Sequence, residues 1–495
     1  MRLRIALGLA LSSALLVSSG PAFGAMDVKL GILNDMVASG RTGTYPNGLN
    51  GLSMATTSCN VGTIDCPWEA AMDEDHPSIA MALYYEKDGV FRQAGISWMK
   101  HGFFALSNNQ CTPCQHPSGG DFLGVGCSDT YSSGNNSDRD WLGPRSEVNP
   151  FKATWECTGS FFSGGINDCV RRVWGGGFNG AEHRVEVLDA ELGLSGATYY
   201  YEGYYVVAND VNRINNLGSR RCVPSWNGTK WNFSTPGGGN DLVEGPASAR
   251  WGDIQTWGNV AVADGQAVLS AKVTDLGGGQ WHYEYCLFNF DSERRIKQFT
   301  IPVGNATISN IGFNDIDENA VNDWAVTVDN GEISWSTGAF EDPNSNPILF
   351  GTLYNFRFDA DVAQAAVTAE LFPWKNAPSM DPGTLATVGP GIDPAGVEEV
   401  AAAAGVKLYP NRPNPLTDAT TIHFEIAQEQ SVRLDIFDLS GRQVRSLMSG
   451  SVRAGGHDVS WDGTSATGER VAAGQYYYRL ETGAATLVRS LLILK

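Results

Sequence analysis

The chain has 495 residues, long enough for two or three domains, and its 58 Gly, 14 Trp, 16 Tyr and 21 Phe against only 18% charged residues describe β structure. A helical protein of this size would carry more straight-chain residues. The net charge of −20 excludes nucleic acid as a partner, because phosphates demand a basic footprint, and reads as solubility outside the cell.

Arg2 and Arg4 precede an apolar run from Ile5 to Val17, which Ser18, Ser19, Gly20 and Pro21 break before Ala22-Phe23-Gly24. This pattern predicts a secretory signal peptide over residues 1–24, too short in its apolar part to span a bilayer. No later stretch approaches eighteen unbroken apolar residues, so no transmembrane segment is expected in the mature chain. Export makes disulfides the expected state of clustered cysteines. Seven of nine (Cys59, Cys66, Cys111, Cys114, Cys127, Cys157 and Cys169) precede residue 170; Cys222 and Cys286 follow. The odd count leaves at least one thiol unpaired, and Cys286, within a strand-like apolar run, is the candidate.

Residues 25–180 read as a Cys-rich, loop-rich β region. Ser78 to Tyr85 and Phe91 to Trp98 flank the turn Lys87-Asp88-Gly89 and predict a hairpin. Residues 107–140 are a long polar loop whose cysteines favour stapling. Residues 181–375 predict a β-sandwich, either separate or one domain with 25–180. Its strands are expected at His183–Leu188, Thr198–Ala208, Ala267–Asp275, Trp281–Phe290, Lys297–Pro302, Thr307–Phe313, Glu332–Ser336 and Leu353–Asp359. Residues 376–406, rich in Pro, Gly and Ala, predict a linker. Residues 407–495 hold six alternating or apolar runs separated by turns, as an immunoglobulin-like sandwich requires. The fold class expected is therefore all-β throughout.

Within that last region, Leu408-Tyr409-Pro410-Asn411-Arg412-Pro413-Asn414-Pro415, the run Val432 to Arg442, Val459-Ser460-Trp461-Asp462-Gly463 and the run Val471 to Leu480 resemble the immunoglobulin-like domain of flagellar hook-capping proteins. The same segments are similar to the C-terminal sorting domains of type IX secretion cargo. Leu416 departs from that pattern, which commonly has an aromatic residue there. The resemblance implies export, contact with secretion machinery through this domain and a place outside the cell or at its surface, but no chemistry. Further segments, His76-Pro77-Ser78-Ile79-Ala80, Ser97 to Leu106, Leu123 to Asp129 and Gly143 to Asn149, resemble large secreted proteins of environmental bacteria. That likeness implies a shared domain and no particular activity.

The candidate chemistry is dispersed. Cys111-Thr112-Pro113-Cys114 has the spacing that lets two thiolates share a tetrahedral zinc, with His116 as a third ligand and His101 and Cys127 nearby; disulfides compete with this reading. His76, behind Asp73, Glu74 and Asp75, and His101 are candidate bases; Asp129, Arg145 and Glu147 complete a candidate polar pocket or, alternatively, a structural network. Asp315, Asp317 and Asn319 alternate as calcium ligands do, though Ala320 stands where an EF-hand needs Gly; Asp138 and Asp140 offer a second acidic pair. Calcium is thus the better-suited cation and zinc the less suited. Trp226, Trp231, Trp251 and Trp257 lie in Gly- and Asn-rich loops, either capping a core or stacking on a glycan.

The serine-hydrolase elbow, the zinc-protease helix motif and the phosphate-binding loop are all absent from the sequence. The expected function is accordingly a secreted or cell-surface, non-enzymatic protein with a binding or structural role. Its expected partner is a glycan or cell-surface component. The alternative is a secreted hydrolase with its site in the loops of residues 73–147.

Overall fold

The computed structural model describes residues 24–493, apart from 117–119, 237–240, 253, 262–263, 318, 341, 376–381, 392–404, 410, 414–415, 417–418, 439–441, 473 and 484–485. The expected signal peptide lies outside the described residues save for Gly24, as does most of the expected linker.

The fold is all-β, and four sheets before residue 391 follow one another as layers. In the first, Leu49–Asn60 pairs antiparallel with Val28–Thr42 along one edge and with Val185–Leu188 and Ser128–Tyr131 along the other. The second runs in the order Trp231–Ser234, Leu217–Trp226, Thr198–Val206, Ser78–Lys87, Met99–His101 and Leu142–Gly143, with Val90–Ile96 also on Ser78–Lys87. The third holds Ile254–Asn259, Gln266–Gly277, Gln280–Asn289, Leu353–Ala360 and Ile308–Asn314. The fourth holds Ala325–Asp329, Glu332–Ser336, Ile296–Pro302, Gln364–Pro373 and Gly383–Pro390.

Strand alternation builds the stack. Along Ser78–Lys87, Ile79, Met81, Leu83 and Tyr85 pack into the core shared with the first sheet, with Leu33, Leu52 and Met54. Ala80, Ala82 and Tyr84 point the other way, onto Val268, Cys286, Phe288 and Leu353 of the third sheet. Ala267, Leu269, Tyr283 and Tyr285 then face the fourth sheet across Phe299, Ile301, Trp335 and Leu371. The two inner sheets thus have apolar residues on both faces, each large one worth about 1.5–3 kcal/mol on burial. Cys286 sits in the contact between the second and third sheets, packed as a small hydrophobe.

The expected hairpin at Lys87-Asp88-Gly89 is present: Asp88 and Gly89 both have positive φ (53° and 83°), as a two-residue type I′ turn requires. Strand pairing runs across two of the expected boundaries. No change of sheet occurs at residue 180, since Val185–Leu188, Thr198–Val206 and Leu217–Trp226 belong to the first two sheets. The shift to the third and fourth sheets comes near residue 250. Of the stretch expected as linker, Gly383–Pro390 is a strand paired with Gln364–Pro373. Gly383 serves a close approach: a Cβ there would lie 2.2 Å from Asn259 O.

The C-terminal unit is a smaller sandwich. Thr420–Ile426 pairs with Val406–Leu408 and Gly455–Trp461, facing the sheet of Gln443–Val452, Gln430–Asp438, Gly474–Thr482 and Thr486–Ile493. Leu416, the departure from the expected aromatic, is wholly buried in this core with Phe424, Ile436, Trp461 and Tyr478. The Tyr478 hydroxyl donates to Tyr409 O (2.9 Å) and accepts from Asn411 N (3.0 Å), pinning the motif that opens the domain. No helix among the described residues is long and apolar enough to cross a membrane.

Candidate functional site

The loop region is stapled by Cys59–Cys111, Cys114–Cys127 and Cys157–Cys169. This corrects the zinc reading: Cys111 and Cys114 are each tied to a different partner and cannot act as thiolate ligands, while His116 is exposed and faces Asp65 at 3.3 Å. Cys66 and Cys222 join Cys286 as free, buried thiols, the first two pushed up by burial to about 12 and so kept protonated.

The strand Met99–His101 carries Lys100 and His101 into the interior. His101 Nδ1 meets His76 Nε2 at 2.8 Å, and His76 Nδ1 meets Asp73 O at 2.8 Å. A carbonyl only accepts, so His76 carries its proton on Nδ1; its Nε2 then accepts, and His101 must donate from Nδ1. His101 Nε2 is left as a bare lone pair, buried without a hydrogen-bond partner between the ring of Phe162 and the backbone at Gly143. Burial pushes His76 down to about 4 and His101 well below the usual histidine range, with Lys100 adding to both shifts. Trp155 lies against both imidazoles, 5.5 Å from His76 and 4.9 Å from His101 between ring centres.

The other candidates do not join the pair. Glu147 accepts from Phe161 N (2.8 Å) and reaches only the outer side of Trp155, at 3.5 Å from its indole nitrogen. Asp129, 1% exposed, accepts from Leu106 N at 2.9 Å, and burial raises it to about 6. Arg145 donates to the carbonyls of Ser97 (2.6 Å), Met81 (3.1 Å) and Phe350 (3.3 Å), tying the second sheet to the loop before the Leu353–Ala360 strand. Lys100, next to His101 in the chain, is wholly buried. Its Nζ donates to His101 O (2.7 Å) and lies 4.0 and 4.5 Å from the ring centres of Phe103 and Tyr131.

A cleft of ≈ 890 Å³ is lined by residues of the first, second and third sheets and the loops between them, among others Arg92, Trp98, Arg145, Glu186, Asp315 and Asp323. Its lining includes Arg145 but none of His76, His101, Asp129 or Glu147. Asp315 accepts from Asn346 (2.5 Å) and is raised to about 7 by burial and by Asp317 and Asp323. Asp317 accepts from Asn319 N (2.7 Å) and Asn319 from Val321 N (3.3 Å), so these oxygens close local turns. Asp138 accepts from Asp140 N within its own turn, whereas Asp140 accepts from Gly175 N, 35 residues along the chain.

The four tryptophans divide. Trp231 and Trp251 are 4% exposed and donate to Asp189 (2.8 Å) and Gly89 O (2.9 Å); Trp257 packs edge-on against Phe290. Trp226 is half-buried and stacks flat on Tyr45, a ring the sequence reading did not single out, although its Gly-Thr-Tyr-Pro-Asn-Gly loop marks it as a surface aromatic.

Comparison with known proteins bears mainly on the C-terminal unit. No curated protein matches the chain. Among solved structures it is similar to latent PorU of Porphyromonas gingivalis (10% identity, 95% of this chain and 34% of that one, TM-score 0.17). It is also similar to PorZ, a surface component of the type IX secretion system of the same organism (12% identity, 93% of this chain and 58% of that one, TM-score 0.15). The chain thus spans about a third of PorU, and TM-scores this low carry no argument. Residues 414–485 match the FlgD Ig-like domain, in agreement with the motifs and the sandwich that contains them.

Proposed function

We propose that this chain is a secreted or cell-surface, non-enzymatic protein with a binding role, exported by its N-terminal segment and delivered through its C-terminal domain to a glycan or cell-surface component. The observation that carries this reading is the fate of the candidate catalytic groups: His101 is wholly buried, Asp129 is 1% exposed, and both stand apart from the ≈ 890 Å³ cleft. Hydrolysis needs an activated nucleophile, a base and a charge stabiliser held around an accessible substrate. Binding needs only shape and a few exposed rings.

The second reading, a hydrolase, is favoured by one feature, the 2.8 Å contact that fixes His101 through His76 as a base is fixed by its orienting group. One screen separates the two. The full chain is presented with polysaccharides, peptides and esters, and both retention and turnover are recorded. Retention without turnover supports binding. Turnover abolished by His101→Ala or His76→Ala, with folding intact, overturns it.

A further inference from the structure

We infer that the exposed face of Tyr45 is a preformed platform for a neutral pyranose polysaccharide, held in place by a stack rooted at the buried Asp189. This inference rests on the binding reading above and assigns its site and ligand class.

The root is Asp189, 1% exposed, which accepts from Asn50 Nδ2 (2.8 Å), Gly48 N (2.8 Å) and the Trp231 indole (2.8 Å) and pairs with Arg41. Each donor fixes one part of what lies above it. Gly48 N holds the end of the loop that carries Tyr45, and Trp231 sits across a tight turn from Trp226, its register partner. Arg41 lies 4.7 Å from the centre of the Trp226 ring. On Trp226 rests Tyr45, ring centres 4.6 Å apart and planes 12° from parallel.

The exposure pattern argues against loop anchoring as the whole purpose. An aromatic that only anchors its loop gains by burying itself, as Trp231 does at 4% exposed, yet Tyr45 is 49% exposed. A stacked ring with one face open costs little further ordering when a ligand arrives, and it offers a flat apolar surface edged by a hydroxyl. The apolar C–H face of a pyranose fits such a surface, and the Tyr45 hydroxyl at its edge can exchange a hydrogen bond with a sugar hydroxyl. Arg41 is already charge-paired with Asp189, so the guanidinium behind the stack does not select for an anionic sugar.

The test uses the full chain in retention assays on cellulose, chitin, xylan and alginate at low and high salt. Retention is expected on at least one of the three neutral polymers, indifferent to salt. Tyr45→Ala should weaken it about ten-fold with the unfolding midpoint unchanged, and Tyr45→Phe should keep it. Phe340→Ala, removing a ring 47% exposed beside Trp374 and far along the chain, should leave it untouched. Wild-type retention by Tyr45→Ala overturns the site while leaving the binding reading standing. Retention on alginate alone, lost in salt, overturns the neutral-sugar assignment. No retention on any of the four overturns the inference, and the binding reading falls with it only if the peptide arm of the wider screen is also empty.

Discussion

Replacing His76 by Gln offers a direct measure of the imidazole pair that half-buried His76 makes with buried His101. An amide at this position can still donate to Asp73 O and accept from His101 Nδ1, so it keeps the hydrogen-bond chain while removing a titrating group. His76 is lowered from 6.5 to about 4 in the folded chain, chiefly by burial, and Lys100 opposes its protonation further. As the pH falls below 6.5, the unfolded chain takes up a proton that the folded chain refuses until about 4. The stability contributed by neutral His76 is therefore complete above 6.5 and is lost across that window. At about 1.4 kcal/mol per pH unit, the loss amounts to about 3 kcal/mol. Buried carboxyls act in the opposite sense: Asp129 at about 6 and Glu202 at about 7 are raised, so their contribution is recovered on acidification. The wild-type curve alone is thus a sum of opposing effects, and the comparison with His76→Gln isolates the imidazole. Urea unfolding followed by tryptophan fluorescence from pH 7.5 to 4 should show wild type losing about 3 kcal/mol more than the variant. Parallel curves, separated by a constant offset, would refute the reasoning.

Four further outcomes are expected. Peptide mapping without reductant should recover Cys59–Cys111, Cys114–Cys127 and Cys157–Cys169, with Cys66, Cys222 and Cys286 alkylating only after unfolding. Removing Cys59–Cys111, which spans 52 residues, should cost roughly 4 kcal/mol against roughly 3 for Cys114–Cys127, which spans 13. Trp231→Phe should destabilise the chain by about 1–2 kcal/mol, because Asp189 loses a donor inside the core, whereas Trp257→Phe should cost less than half of that. Cleavage near residue 400 should release two folded pieces with separate unfolding transitions, and one shared transition unaltered by the cut would count against separate units.

Composition and periodicity were enough to name the fold class, because aromatic and β-branched residues alternating between Gly-rich turns have few other places to go. The strands Glu332–Ser336 and Leu353–Ala360 and, among the described residues, six of the seven C-terminal ones were legible for that reason, and the missed one, Val406–Leu408, spans only three residues. Leu49–Asn60 was not, since nearly all of it is buried and its interior carries Thr56, Thr57 and Ser58. Those hydroxyls are met by distant partners, Thr56 by Tyr205 at 2.9 Å and Thr57 by Thr130 at 2.8 Å, and no local pattern announces a polar residue satisfied from across a sheet. The same limit applied to the linker, where glycines needed for the approach of Gly383–Pro390 to Ile254–Asn259 looked like flexibility.

For the sites, residue type alone could nominate but not place. The clustering of cysteines and the export pattern foretold disulfides, yet their connectivity needed the strands that bring Cys59 to Cys111. His76 and His101 could be named from the sequence, but only the pairing of Ser78–Lys87 with Met99–His101 sets them 2.8 Å apart, and only the packing around Gly143 seals His101 from solvent. Four loop tryptophans looked alike in sequence. Tertiary packing alone sent Trp231 and Trp251 inward and left Trp226 beneath Tyr45, because burial depends on what lies opposite a side chain, and that is decided by strands far away along the chain.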